Sequence, residues 1–309
     1  MVIGIILAAA LLAAVLFALH YGYKLAFYYD DPCKDPFDYG KEGQIAPKVE
    51  TLEKALRAFC DAPFEEVHVR SLDGLKLRAK YYHHVSGAPL EIHCHGYKGD
   101  AMRDFCGGWA VAKASGHNVL LIDQRSHGKS EGHTITFGVK EKTDVLQWIR
   151  WANERFGEVP IILSGVSMGA ATVLMAAGME LPGNVKAVIA DCPFDSPANI
   201  IKTVMERNMG MPVGPVYPLV RLGGMVYGHF DLESDSAVEA VKRAKLPILL
   251  IHGDDDRFVP YSMSQNIYAA ASEKITFHTV PEAGHAMNYI WDPEGYHRVV
   301  RAFTDKVLH

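Results

Sequence analysis

The sequence predicts an α/β protein: a mostly parallel central sheet, helices on both faces, and a small lid insertion. Three observations carry this reading. First, short continuous apolar runs recur at LEIHC (90–94), NVLLID (118–123), PIILSG (160–165), VKAVIAD (185–191), PILLIHG (247–253) and ITFHTV (275–280). Second, helix-like segments separate them, at 104–115, 142–156, 168–179, after Pro260, and near 295–308. Unbroken apolar strands alternating with helices belong to parallel sheets buried on both faces. Third, one interval breaks the rhythm. Roughly residues 194–245 stand where a single helix would do, with Met205, Met209, Met211 and Met225 among several Pro and Gly. Methionine suits an adaptable apolar surface, and the segment reads as a lid over the active face.

The elements follow in order. The first nineteen residues, MVIGIILAAALLAAVLFAL, hold no charged side chain. About twenty apolar residues cross a bilayer as a helix. Tyr21, Tyr23, Tyr28 and Tyr29 follow as an interfacial belt would. The start lacks a basic n-region and has only a weak cleavage pattern, so residues 1–29 read as an uncleaved membrane anchor. Secretion after signal cleavage is the alternative. Lys24 and Lys34 are matched by Asp30, Asp31 and Asp35, so neither side of the membrane is specified. Residues 30–46, rich in Pro, Gly and charge, read as a linker to a domain over 47–309. PKVETLEKALRAFC has helical spacing, and residues 64–82 read as two strands joined at Asp73-Gly74.

Composition narrows the function classes. The 309 residues are 49% hydrophobic and 22% charged, with a formal net charge of −5. No basic run is present, so a nucleic-acid partner has no electrostatic footprint. Cys33, Cys60, Cys94, Cys106 and Cys192 form no CxxC pair and read as reduced, mostly buried thiols. His93 and His95 are two apart without a dense ligand motif around them, which favours structural histidines over a metal site. No phosphate-binding glycine pattern precedes a helix, so no cofactor is expected.

The chemistry-bearing residues fall at the ends of the expected strands. Gly165-Val166-Ser167-Met168-Gly169 matches G-x-S-x-G, between an apolar strand and an Ala-rich helix. A serine hydroxyl becomes nucleophilic only when a base takes its proton, and that base is normally a histidine oriented by a carboxylate. Downstream, PILLIHG ends in DDDRFVP, and the next strand ends in VPEAGHAM. Ser167, an Asp among 254–256, then His285 is the chain order expected for such a relay. Spacing alone leaves the three aspartates open. Asp191, ending the preceding strand, is a further candidate.

Over residues 62–309 the chain resembles the α/β-hydrolase family. The resemblance rests on HCHGYKGD, DQRSHGKSEG, GVSMG, HGDDDRFVP and AGHAM. It implies that Asp256, three residues before Val259-Pro260, is the acid. It also implies an oxyanion hole from the backbone amides of Tyr97 and Met168. Ser126 and His127 stand where the commonest form of the family's D-x-R-G-x-G-x-S loop has Gly and a variable residue, a departure confined to the local turn. Asp123 and Arg125 read as structural.

The expected activity is that of a serine hydrolase acting on a small-molecule acyl ester, with acylglycerols or lysophospholipids favoured by the anchor and the methionine lid. An aminopeptidase-like serine peptidase, a thioesterase or an acyltransferase would use the same triad. A membrane-tethered binding module without catalysis is the reading from a different class.

Overall fold

The computed structural model describes residues 1–30 and 35–309. Cys33 and Lys34 therefore lie outside the described residues. Eight strands form one sheet: β1 (Glu65–Arg70), β2 (Lys76–Tyr82), β3 (Leu90–Cys94), β4 (Asn118–Asp123), β5 (Ile161–Val166), β6 (Val185–Asp191), β7 (Ile248–Gly253) and β8 (Ile275–Val280). Their spatial order is β1-β2-β4-β3-β5-β6-β7-β8. The hairpin β1–β2 and the β2–β4 pair are antiparallel; every pair from β4–β3 to β7–β8 is parallel. The apolar runs thus form the parallel part, and the Asp73-Gly74 hairpin caps one edge.

The helices are α1 (Val2–Ala26), α2 (Val49–Cys60), α3 (Ala101–Ala114), α4 (Glu141–Phe156), α5 (Met168–Ala177), α6 (Pro197–Thr203), α7 (Val213–Gly223), α8 (Ala237–Arg243), α9 (Tyr261–Ala270), α10 (Asn288–Trp291) and α11 (Pro293–Leu308). Every residue of β3, β4, β5 and β7 is buried. That is the consequence of helices on both faces. On one face Trp148, Ile149 and Val173 pack on Ile92, Leu120 and Leu163. On the other, Tyr296, Val300 and Phe303 of α11 pack on Ile162, Ile189 and Leu249.

Two of the expected boundaries fall within packed regions. The last helix of the 194–245 interval, α8, packs into the domain. Ala237 and Val241 of α8 are fully buried in the main core, and Ala240, equally buried, joins the neighbouring cluster with Ala171 and Met175 of α5. A Cβ on Gly178 would lie 2.8 Å from the Ala240 Cα, so α8 closes tightly on the end of α5. The rest of the segment expected as a lid consists of α6, α7 and the π-helical turns Val204–Asn208 and Gly224–Gly228. The second boundary concerns the N-terminus. Residues 1–17 are exposed, but Leu19, Gly22, Tyr23, Phe27 and Tyr29 are buried. Phe27 sits edge-on to Phe230 at 5.0 Å and to Phe137 at 6.1 Å. The Ile135 amide donates to the Phe27 carbonyl at 2.8 Å, and the Tyr29 amide to His133 at 3.0 Å. The end of α1 is therefore built into the domain, rather than separated from it by the segment that follows.

Candidate active site

β3 and β5 are neighbours in the middle of the sheet, with Cys94 opposite Gly165. Their following loops must diverge at the carboxyl edge, the place where open α/β sheets bind ligands. β5 turns into α5 through Ser167, whose backbone is at φ 55°, ψ −114°. For a non-glycine residue this is a strained conformation. It is held from both sides: the Ser167 amide donates to Asp191 O at 2.8 Å, and the Ala171 amide donates to Ser167 O at 3.0 Å. The flanking glycines are required by contact. A Cβ on Gly165 would overlap the Gly169 backbone, and one on Gly169 would overlap the Cys94 carbonyl.

Ser167 Oγ lies 2.9 Å from His285 Nε2, and His285 Nδ1 lies 2.7 Å from Asp256 Oδ2. A carboxylate only accepts, so Nδ1 carries the proton and Nε2 faces the serine hydroxyl as acceptor. His285 follows β8, Asp256 follows β7, and Ser167 follows β5. Of the three candidate aspartates, only Asp256 reaches the imidazole. Asp254 accepts the Glu282 amide at 2.6 Å, and Asp255 pairs with Arg257 at 2.8 Å. Asp191 ends β6, between β5 and β7, and its carboxylate accepts from Asn288 Nδ2 at 2.6 Å. Its carboxyl is raised by burial.

Asp256 is deeply buried. Burial would raise its carboxyl, but hydrogen bonds with His252 and His285 outweigh it and hold the group well below the usual carboxylate range. Its Oδ1 also accepts the amides of Phe258 and Val259, each at 2.9 Å. His252, on β7, is the member that the sequence reading missed. Its Nε2 stands 3.1 Å from Asp256 Oδ2 and 3.1 Å from the Val259 carbonyl. Both are acceptors, so Nε2 carries hydrogen and Nδ1 accepts from Ser264 Oγ at 2.6 Å. The only sequence signal was its place at the carboxyl end of a buried strand, two residues before the aspartates.

The loop after β3 passes directly over the serine. A Cβ on Gly96 would lie 3.5 Å from the Ser167 Cβ. The Gly96 amide is pinned by Asp104 Oδ2 at 2.8 Å, and the Lys98 amide by His127 Nε2 at 3.0 Å. This places Tyr97 beside Ser167. Met168 opens α5, in the first turn, where amides have no partner inside the helix. The Tyr97 phenol turns away, donating to the Ala26 carbonyl at 3.0 Å and stacking on Phe137 at 4.9 Å.

The remaining residues singled out from the sequence are structural in their contacts. Arg125 is buried between Asp144 (2.7 Å) and Asp73 (2.9 Å). Asp123 accepts from Arg78 at 2.9 Å. Ser126 takes φ 67°, so the turn that usually has Gly there is kept, with a serine in a left-handed conformation. His93 contacts Glu91 at 3.0 Å, and His95 Nδ1 donates to the Gly96 carbonyl at 2.8 Å. The two histidines thus engage different partners.

Ser167 stands between two cavities, with Tyr97 and Phe258 shared by both. One, of about 280 Å³, is lined by apolar side chains of the lid and α1. The other, of about 360 Å³, carries Lys98, Arg103, Asp104 and His285. The arrangement can activate a hydroxyl, hold an apolar group on one side of it and a polar group on the other.

Residues 92–214 match the family described as alpha/beta hydrolase fold, and residues 224–289 the one described as serine aminopeptidase. The chain is 30% identical over 226 residues to the uncharacterised protein Rv2307c of Mycobacterium tuberculosis, covering 71% of this chain and 72% of that one. It is 28% identical over 193 residues to the uncharacterised protein YqkD of Bacillus subtilis, covering 62% of this chain and 63% of that one. It is 27% identical over 205 residues to lysophosphatidylserine lipase ABHD12 of Danio rerio, covering 63% and 51%. The match thus spans under two thirds of YqkD and about half of the lipase. Among solved structures, the Pyrococcus furiosus esterase Pf2001 superimposes with a TM-score of 0.66 at 22% identity, over 91% of this chain and all of that one. That likeness is one of fold.

Proposed function

The chain belongs to the α/β-hydrolase family, and from that premise we propose that it is a serine hydrolase cleaving carboxylic esters through an acyl-enzyme on Ser167. The observation that carries this reading is the continuous line from Ser167 Oγ through His285 to Asp256, with both contacts under 3 Å. His285 Nε2 takes the hydroxyl proton as Oγ attacks the acyl carbonyl. The imidazolium so formed is stabilised by the Asp256 carboxylate, which stays ionised. The carbonyl oxygen becomes an oxyanion facing the amides of Met168 and Tyr97. Each such donor is worth about 3 kcal/mol to the transition state. The imidazolium then protonates the departing alcohol. Water, activated by the same histidine, attacks the acyl-serine and releases the acid.

In this reading the two cavities take the two halves of the ester. The apolar one suits the acyl chain, and the polar one, with Arg103 and Lys98, suits the alcohol. The helix Val2–Ala26, long and apolar enough to cross a bilayer, holds the enzyme at a membrane in this reading, with lipid-like esters within reach.

The test is covalent labelling together with turnover. Wild-type protein is expected to react with a fluorophosphonate probe and to hydrolyse p-nitrophenyl esters faster than aminoacyl-p-nitroanilides. Ser167→Ala is expected to lose both labelling and turnover while keeping its unfolding transition. Labelling that persists in Ser167→Ala removes Ser167 as nucleophile. Preferential cleavage of the anilides assigns a peptidase instead.

A further inference from the structure

We propose that α1 is a wall of the substrate site as well as an anchor: one face of its C-terminal half lines the acyl cavity, whose mouth opens toward the bilayer the helix occupies. The ligand class is an amphiphile bearing an apolar acyl chain, drawn from the membrane along the helix. This rests on the acyl-enzyme reading of Ser167.

Five α1 residues line the cavity: Ala18, Tyr21, Gly22, Leu25 and Ala26. Their spacing is i, i+3, i+4, i+7 and i+8, a single stripe along the helix. The stripe is fixed in place by close packing on the lid. Gly22 meets α7 at Val220, where an added Cβ would lie 3.4 Å from the Val220 Cγ2. Reciprocally, a Cβ on Gly223 would lie 2.5 Å from the Leu19 carbonyl oxygen. Glycine on both sides lets the two backbones approach, as in helix pairs within membranes. Below the crossing, Tyr23 Oη is 2.6 Å from Thr134 Oγ1, and the Tyr97 phenol bonds the Ala26 carbonyl. The residue whose amide faces the oxyanion thus touches the end of the same helix.

The mouth is apolar. Tyr21, Leu25, Met209 and Phe258 line the cavity and are also among the exposed large hydrophobics. Next to α1 the lid adds Leu222, Met225 and Val226, each more than two-fifths exposed. Exposed apolar groups in one region mark contact with a nonaqueous neighbour. Here the neighbour is specified by continuity, since residues 1–17 of the same helix are exposed and uncharged. They make about 25 Å of helix, close to the thickness of a hydrocarbon core. A chain leaving the bilayer beside α1 therefore meets apolar surface until it reaches Ser167.

The experiment uses the full chain in phosphatidylcholine nanodiscs. Ala18→Trp and Leu25→Trp place bulk on the stripe without touching the relay. Values of kcat/KM are measured for p-nitrophenyl acetate, butyrate, octanoate and palmitate. Wild type is expected to prefer the longer esters. Each methylene excluded from the cavity costs about fourfold, so both variants are expected to lose about tenfold or more on palmitate relative to their own change on acetate. Fluorophosphonate labelling of each variant reports the folded relay. An unchanged chain-length profile, or a proportionate loss on acetate and palmitate in both variants, overturns the proposal. If wild type neither labels nor cleaves any ester, the reading of Ser167 fails. If it does both and only the profile fails to move, this inference alone falls.

Discussion

The His252 imidazole lies 3.1 Å from the same Asp256 oxygen that His285 engages at 2.7 Å. The carboxylate is thus shared between a histidine facing Ser167 and one sealed in the interior. The inner one adds a donor to the charged form and takes up a lone pair that His285 leaves free. A hydrogen bond to a charged group contributes about 1.5–3 kcal/mol.

Replacing His252 by phenylalanine removes that donor. The expected result is a fall in kcat of about tenfold, with KM changed by less than about twofold, since the substrate cavities are untouched. His252→Gln, which can still donate, is expected to recover part of the loss. Steady-state kinetics on one short ester checks both. Wild-type kcat in the phenylalanine variant would remove His252 from the relay.

The close approach at the Ser167 turn has its own consequence. Gly169→Ala forces a Cβ into the Cys94 carbonyl, so either α5 or the loop after β3 must move. Overpacking of this kind costs about 1–3 kcal/mol. The same shift takes Tyr97 away from Ser167. A lowered melting temperature with a larger loss of kcat than of binding is expected. Gly183→Ala, where an added Cβ meets nothing within 4 Å, is the control expected to do neither.

Arg125 and Arg155 test burial against exposure for the same residue type. Arg125 pairs with Asp144, both side chains being under 5% exposed, whereas Arg155 pairs with Glu65 at the surface. Removing one partner of a buried pair costs about 3–5 kcal/mol because the other charge stays desolvated. An exposed pair contributes less than about 1 kcal/mol. Urea midpoints of Arg125→Ala and Arg155→Ala are expected to differ accordingly. Similar midpoints would mean that Asp144 finds another partner or water.

Glu91 carries a pH dependence of stability. It is fully buried on β3. Burial raises its carboxyl, but His117 at 2.8 Å and His93 at 3.0 Å outweigh that and bring it from 4.5 down to about 2. A carboxyl depressed on folding stabilises the protein above its unfolded value, and the contribution is lost as the pH falls toward the folded value. The window is therefore about pH 4.5 to 2, and the amount about 3 kcal/mol. Glu91→Gln is expected to flatten the difference in urea midpoint between pH 6 and pH 3. A variant with the wild-type slope would assign the acid lability elsewhere.

Much of this was legible in the chain. The apolar runs became the parallel strands because a strand covered on both faces cannot alternate. The Ser–Asp–His order along the chain, each at a strand end, became an order in space because all three strands run the same way in one sheet. What one-dimensional reading missed was of another kind. His252 looked like part of an apolar strand, since nothing local marks which buried side chain faces a neighbouring loop. The end of the 194–245 interval looked like lid, although α8 packs on α5. Only the packing tells an apolar helix over the core from one over a cavity.

By itself, then, the sequence determined the sheet, the turn at Ser167 and the apolar character of the first helix, because each depends on local patterning or backbone geometry. The tertiary structure decided which of three adjacent aspartates meets His285, which histidine stands behind Asp256, and which face of α1 looks into the cavity. A helix that is apolar all round has no stripe to read. Its orientation comes from the glycines and aromatic rings that it meets on the lid, residues some two hundred positions away in the chain.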